Sequence, residues 1–172
     1  MSAQADGAQG SSLRAAITFR PRTAADRDFL CALYASTREE EMRPIPWTDQ
    51  QKAAFLAMQF EAQTQHYDEY FGEADFLIVE SAGAPIGRLS VYRDDGELQV
   101  IDIALVPQWR GRGIGTALMQ DLLDEARTTG RTVSIYVEHF NPARHLYDRL
   151  GFEHVDTNGV YHRMSWPAPR LK

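Results

Sequence analysis

The stretch Val100–Leu118, V-I-D-I-A-L-V-P-Q-W-R-G-R-G-I-G-T-A-L, decides the fold. Its apolar first part reads as a strand that stops at Pro107, a residue with no N–H to continue a pairing ladder. A basic, glycine-rich turn follows, in which Gly111, Gly113 and Gly115 allow backbone amides to approach a ligand closely. A helix-forming run begins near Gly113, and the first N–H groups of a helix have no internal partner and point at whatever lies ahead. Together with the helix dipole, Arg110 and Arg112, these amides form a cradle for a phosphate or pyrophosphate.

Two common phosphate motifs fit poorly. A P-loop requires Gly-Lys-Ser/Thr, which the chain lacks. A G-x-G-x-x-G fingerprint started at Gly111 would place its third glycine on Thr116, with Glu138 as the distant acidic residue. That fingerprint belongs to the first βα unit of a Rossmann domain, whereas this stretch lies past the middle of a 172-residue chain.

What fits is R-x-x-G-x-G from Arg110 to Gly115, which resembles the acyl-CoA pyrophosphate motif of the GNAT superfamily of N-acyltransferases. A Q-x-x-G-x-G reading from Gln108 also fits, but the Arg110 register leaves Gly113, Ile114, Gly115 and Thr116 as the first turn of the helix. A second segment about thirty residues on, N-P-A-R-H-L-Y-D-R-L-G-F (Asn141–Phe152), resembles the family's other CoA-side segment. The likeness extends more weakly over Ile17–Trp166.

The rest of the chain reads as one α+β domain over 17–167. Expected strands are Ile17–Arg20, Phe76–Ser81, Ile86–Tyr92, Glu97–Val106 and Thr132–Glu138, with a closing hairpin of His154–Asp156 and Val160–Trp166. Expected helices are Thr23–Arg38, Thr48–His66 (apolar stripe Phe55, Met58, Gln59, Ala62), Gly113–Thr129 and a short one capped by Asn141. Glu39–Pro46 reads as a loop. The order β-α-α-β-β-β-α-β-α-β-β implies a mixed, mostly antiparallel central sheet flanked by helices, which agrees with the GNAT fold. The small, polar segment 1–16 reads as a disordered tail and 168–172 as a second, short tail.

A net charge of −6 argues against nucleic acid as a partner, and a single cysteine, Cys31, excludes an internal disulfide framework. Cys31 reads as a small core residue rather than a nucleophile. No apolar run has transmembrane length, and no signal peptide is legible, so a cytoplasmic chain with no membrane partner is expected. The acidic span 38–75 is either a solvated face or a rim that attracts a cationic acceptor. Trp47, Phe60, Tyr67, Tyr70 and Phe71 are candidates for an apolar acceptor wall. The five histidines show no paired spacing, so no metal is expected.

The resemblance implies an acetyl-CoA-dependent N-acetyltransferase acting on a primary amine, in a superfamily where homodimers are frequent. It implies backbone contacts to the co-substrate from Ala104, Leu105 and Val106, with an N–H near Leu105 polarising the carbonyl and Pro107 helping to splay the strand from its neighbour. Arg110, Gly111, Arg112, Gly113, Ile114, Gly115 and Thr116 would hold the pyrophosphate. Tyr147 matches the tyrosine that protonates the departing thiolate; a phenol stays protonated at neutral pH. Asn141 would also touch the co-substrate, although its N-P-A spacing is one residue shorter than the family's N-x-x-A and helix capping alone accounts for it. Three carboxylates are candidate bases. Asp102 comes first, taken to alternate with Val100 and Ala104 among apolar neighbours that raise its pKa; Glu138 is second and Glu97 third. A reading of another class is a non-catalytic acyl-CoA-binding regulatory module, which could dispense with Tyr147 and the carboxylates.

Overall fold

The computed structural model describes residues 16–139 and 141–167; the two expected tails, Ala16 apart, lie outside the described residues. Strand β1 (Ile17–Pro21) is followed by a 3-10 turn, Ala24–Asp26, and helix α1 (Arg27–Thr37). The turn is fixed by Asp26, whose carboxylate accepts from the Thr23 N–H at 2.8 Å and from both terminal nitrogens of Arg20 at 2.8 and 2.7 Å. Residues expected as loop instead hold one helical turn, α2 (Glu39–Met42). Three glutamates at its start suit the positive end of the dipole, and Met42 buries against α1.

Helix α3 (Asp49–Tyr70) opens with a capping box: Thr48 Oγ1 accepts from the Gln51 N–H at 3.1 Å while the Gln51 amide oxygen accepts from the Thr48 N–H at 2.9 Å. It runs one turn beyond the expected end. Its buried residues are Leu56 and Phe60, not the expected stripe, and Met58 is 62% exposed. Apolar and polar residues alternate along this helix without a clear period, so packing against α1 rather than local pattern selects the buried face.

Strands β2 (Asp75–Ser81), β3 (Ala84–Arg93) and β4 (Glu97–Leu105) form an antiparallel meander. Then come a 3-10 turn (Pro107–Trp109), α4 (Ile114–Thr129), β5 (Thr132–Glu138), α5 (Arg144–Arg149), β6 (Glu153–Asn158) and β7 (Tyr161–Trp166). The seven-stranded sheet has the order β1-β2-β3-β4-β5-β7-β6, with β4–β5 its parallel pair. One face packs on α4 and α5, where Ile114, Leu118 and Leu123 meet Val100, Val133 and Ile135. The other carries α1, α2 and α3, with Leu33 and Phe60 against Ile78. Among the described residues no helix is long and apolar enough to cross a membrane.

Candidate active site

The parallel pairing of β4 with β5 covers Glu97–Val100 against Thr132–Ile135 and then stops. Beyond it β4 stays with β3 up to Leu105, and β5 stays with β7 up to Glu138. A slot therefore opens in the middle of the sheet. It begins where β4 bulges: Val91 faces Val100 while Ser90 faces Asp102, which leaves Ile101 as an extra residue. A bulge bends its strand and sharpens its twist. The opening thus starts well before Pro107, which was expected to help splay the strand.

The hydrogen-bond alternation of an antiparallel pair shows which groups of β4 line the slot. The Val106 N–H donates to Ile86 O at 2.8 Å, so the Ala104 N–H also turns toward β3. The amides of Ile103 and Leu105 turn the other way, into the slot. Of the three residues expected to make backbone contacts, Leu105 alone presents its N–H there, as expected of the carbonyl-polarising donor. Its carbonyl is already occupied, accepting from Arg110 Nε at 2.9 Å. Gly87 on β3 lies opposite, and a Cβ on it would sit 2.4 Å from Ala104 O and 2.8 Å from Leu105 Cδ2.

The loop after β4 keeps the cradle in altered form. Gly111 (φ 71°) and Gly113 (φ 79°) adopt the left-handed conformation, and Gly113 caps α4 without any side-chain bond to its first turn. The N–H groups of Ile114, Gly115 and Thr116 therefore face outward. A Cβ on Gly111 or Gly115 would meet nothing within 4 Å, so the space ahead of the helix is clear. Arg112 stacks over Trp109 with its guanidinium carbon 4.9 Å from the ring centre. Arg110, expected as a second phosphate cation, points elsewhere: besides Leu105 O it donates to Ser36 Oγ at 2.9 Å, tying this loop to α1. Clear glycine backbone, a helix start and an open strand edge fit the pyrophosphate and amide-bearing arm of an acyl-CoA.

Tyr147, on α5, is 4% exposed and packs edge-on against Phe152. Burial pushes its phenol above its ordinary value, and the charge of Asp102 pushes it further. It holds its proton at neutral pH, as the sequence required. Asn141 Oδ1 accepts from the Ala143 N–H at 2.9 Å, which makes it a cap for the turn entering α5.

Asp102 departs from expectation. The bulge at Ile101 reverses the alternation, so Asp102 shares its face with Arg88 and Ser90, while Val100 faces α4. Its surroundings are not apolar, since its carboxylate pairs with the Arg88 guanidinium. Glu138 also faces the α1–α3 side, where it accepts from Arg38 at 2.8 Å and from the Tyr161 hydroxyl at 3.4 Å. Glu97, the third carboxylate, pairs with Arg163 at 3.1 Å, away from the slot. The slot is thus flanked by a protonated phenol on one face and two arginine-paired carboxylates on the other.

Between α3, the β1–α1 turn and strands β2–β4 lies a cavity of about 420 Å³ that reaches Asp102 and Arg88. Phe60, Leu30 and Ile78 line it, as does Tyr67, whose phenol burial pushes upward, with Asp102 adding to the shift. Sequence reading placed Tyr67 in an acceptor wall but missed Arg88 and Arg38, which carry no local motif. Of the other expected wall residues, Phe60 is buried and lines the same cavity, Tyr70 is 71% exposed, and Trp47 packs on Phe55. The acidic span is largely spent in ion pairs: Glu40, Glu41, Glu61, Asp68 and Asp75 each meet an arginine. Histidines that are unpaired in sequence do meet in space, because β5, β6 and β7 are neighbours. His139 Nδ1 and His162 Nε2 are 3.2 Å apart, and His154 packs on His162. Among the described residues no group of three or more His, Cys, Asp or Glu is placed to hold a metal ion. Cys31 packs at the edge of the α1–α3 core.

Solved structures of low identity share this architecture. A PaiA N-acetyltransferase from Thermoplasma acidophilum, solved with coenzyme A, superposes with a TM-score of 0.66 at 16% identity, covering 89% of this chain and 99% of the other. Ard1 from Thermoplasma volcanium gives 0.59 at 17% identity, covering 90% and 99%. An N-alpha-acetyltransferase of Sulfurisphaera tokodaii is 30% identical over 106 residues, 53% of this chain and 62% of that protein. The N-alpha-acetyltransferase RimI of Mycobacterium tuberculosis is 40% identical over 95 residues, 52% and 59% of the two chains. The chain spans about half to three fifths of the length of the curated relatives it matches. The family model of the GNAT acetyltransferases matches residues 33–152, from α1 through the slot and Tyr147 to Phe152, and on that match the chain belongs to the GNAT acetyltransferase family.

Proposed function

We propose that the protein transfers an acetyl group from acetyl-CoA to a primary amine by direct attack of the amine on the thioester. The observation that carries this reading is the slot: a strand edge with an outward Leu105 amide, lying between a protonated phenol and a carboxylate face. Acetyl-CoA, when bound, supplies the activated acyl group. The amides of Ile114, Gly115 and Thr116, with Arg112, hold its diphosphate, and the β4 edge aligns its arm like an added strand. The Leu105 N–H is the fixed donor for a carbonyl oxygen in the slot. Tyr147 gives its proton to the sulfur on the α5 side. The amine arrives on the opposite face, where Asp102 or Glu138 takes its proton, directly or through water.

Each carboxylate is held by an arginine, so an acceptor ammonium must share that arginine's partner. The names of the Sulfurisphaera and Mycobacterium relatives favour the α-amino group of a polypeptide as the acceptor. A silent acyl-CoA-binding module would need neither the buried Tyr147 nor two carboxylates beside the slot, and their presence favours catalysis. The cytoplasm, where acetyl-CoA and reduced thiols are available, is the compartment this chemistry suits. The test is thiol release from acetyl-CoA with amine-terminated peptides. Release that depends on acceptor and drops in Tyr147→Phe supports the reading; tight acetyl-CoA binding with no release for any amine refutes it.

A further inference from the structure

The cavity beneath α3 holds three residues expected from sequence, the acceptor-wall candidates Phe60 and Tyr67 and the candidate base Asp102. Its rim is exposed and formed by Thr23, Ala24, Arg27 and Glu61, while its floor is buried. The charges around it cancel in pairs: Arg22 with Asp68 at 2.7 Å, Arg27 with Glu61, and Arg88 with Asp102. The rest of the lining is uncharged: apolar Leu30, Phe60, Phe76 and Ile78, beside neutral polar side chains such as Tyr67 and Ser90. A cavity of about 420 Å³ is in the range that holds small ligands, roughly 300–1,000 Å³, and such sites are mostly apolar with a few placed polar groups.

Its inner end is the decisive feature. Asp102 lies on the stretch of β4 that has left β5, just after the bulge, and so belongs to both the cavity and the slot. A group whose amine stands at Asp102 therefore has one apolar space beside it, bounded by α3 and the sheet. We propose that this cavity receives the apolar group attached next to the acceptor's amine and thereby selects acceptors that carry a large apolar group at that place. The proposal rests on the acyl-transfer reading above. Two sources share this chemistry: the first side chain of a polypeptide, and the body of a small arylalkylamine.

The alternative passage to the slot, past Glu138, is bridged. Arg38 on the α1–α2 junction reaches Glu138 across the sheet at 2.8 Å, and Tyr161 donates to the same carboxylate oxygen. An acceptor body meets a closed ion pair there and an open apolar space beneath α3.

The test measures kcat/KM with peptides of one length beginning with Phe, Leu, Ala or Asp, and with 2-phenylethylamine. Burial of a large apolar side chain predicts Phe- and Leu-initiated peptides ahead of the Ala- and Asp-initiated ones by roughly ten- to hundredfold. Phenylethylamine turned over as well as the Phe peptide identifies a small amine as the natural source; a much poorer rate identifies the peptide. Thr64→Trp on α3 and Phe76→Trp on β2 fill the cavity from opposite walls and should bring the Phe peptide down to the level of the Ala peptide. Their acetyl-CoA affinity and thermal unfolding, measured alongside, report that fold and co-substrate site are intact. Equal rates for all first residues, or a preference for Ala or Asp, overturn the cavity's role while leaving acyl transfer standing. So does a folded, filled variant that keeps the Phe preference. Acetyl-CoA binding with no thiol release for any acceptor overturns both.

Discussion

Gly87→Ala tests the geometry of the slot at its most exacting point. The added Cβ would stand 2.4 Å from Ala104 O and 2.8 Å from Leu105 Cδ2. The first of these is a backbone atom and cannot rotate away. Alanine gains about 0.4–1 kcal/mol over glycine by restricting the unfolded chain. Overpacking of this kind costs about 1–3 kcal/mol, so the net effect is a loss of about 1–2 kcal/mol. For a chain of this size that lowers Tm by roughly 2–8 °C. The functional effect is larger, because relief requires β4 to move away from β3 where it presents the Leu105 N–H. Misplacement by about 1 Å can cost about 10²-fold in rate, whereas complete loss of such a donor costs about 10²–10³. The assay is kcat at saturating acceptor and acetyl-CoA, with Tm by calorimetry. Co-substrate affinity should fall less than kcat, since the amides of Ile114–Thr116 that hold the diphosphate lie beyond the displaced segment. Gly96→Ala is the control: its Cβ would have only Asp94 Oδ1, at 3.9 Å, as a neighbour, and it should leave both quantities unchanged. Wild-type Tm and kcat in Gly87→Ala would refute the account of Leu105.

Tyr147→Phe keeps the ring against Phe152 and removes the proton donor; kcat should fall by about 10²-fold while acetyl-CoA affinity, measured by calorimetry, holds. Asp102→Asn should lower turnover mainly below the acceptor amine's pKa, with partial recovery as pH rises and free amine accumulates; a pH–rate profile parallel to wild type assigns the base to Glu138 or water. Asp26→Asn should lower stability at neutral pH by about 1–2 kcal/mol through the weakened cap and Arg20 pair. Arg20 holds the Asp26 carboxyl well below the usual carboxylate range, so its contribution is full above about pH 4 and fades as pH falls below that; denaturant midpoints of wild type and variant should converge in strong acid.

Legibility followed locality. Gly113, Gly130 and Gly151 were readable as helix boundaries because a left-handed turn demands a residue without Cβ, and all three have positive φ. The limits of β5 were readable because apolar Val133, Ile135 and Val137 alternate with polar neighbours between clear stops. The turn at Glu39–Met42 was missed because two prolines downstream, Pro44 and Pro46, made the whole segment look irregular. Arg110 was misassigned for a different reason. Its motif position predicts a cation near the phosphate loop, but only the folded chain brings Ser36 and the Leu105 carbonyl within its reach. Arg38 could not have been found at all: its partner Glu138 lies 100 residues away in sequence.

The misreading of Asp102 and the opening of the slot ahead of Pro107 have one cause. Period-2 alternation assigns residues 100, 102 and 104 to one face only while a strand keeps register with its neighbour, and a single inserted residue exchanges the faces for everything after it. Ile101 is that residue. Before it, Val100 packs toward α4 in a regular parallel pair with Ile135. After it, Asp102 faces α3 and the strand has parted from β5. An uninterrupted β4 in the same sheet would pair with β5 to its end, spend the Leu105 N–H on a ladder bond and put Asp102 into the α4 core, where a carboxylate is costly. The bulge therefore opens the slot, frees the donor and turns the carboxylate toward the cavity in one step. A tetrapeptide such as Val100-Ile-Asp-Ile103 records none of this, since the inserted residue is an ordinary isoleucine. Acyl-transfer geometry in this chain rests on an irregularity of pairing, which becomes visible only when β3 and β5 are both in place.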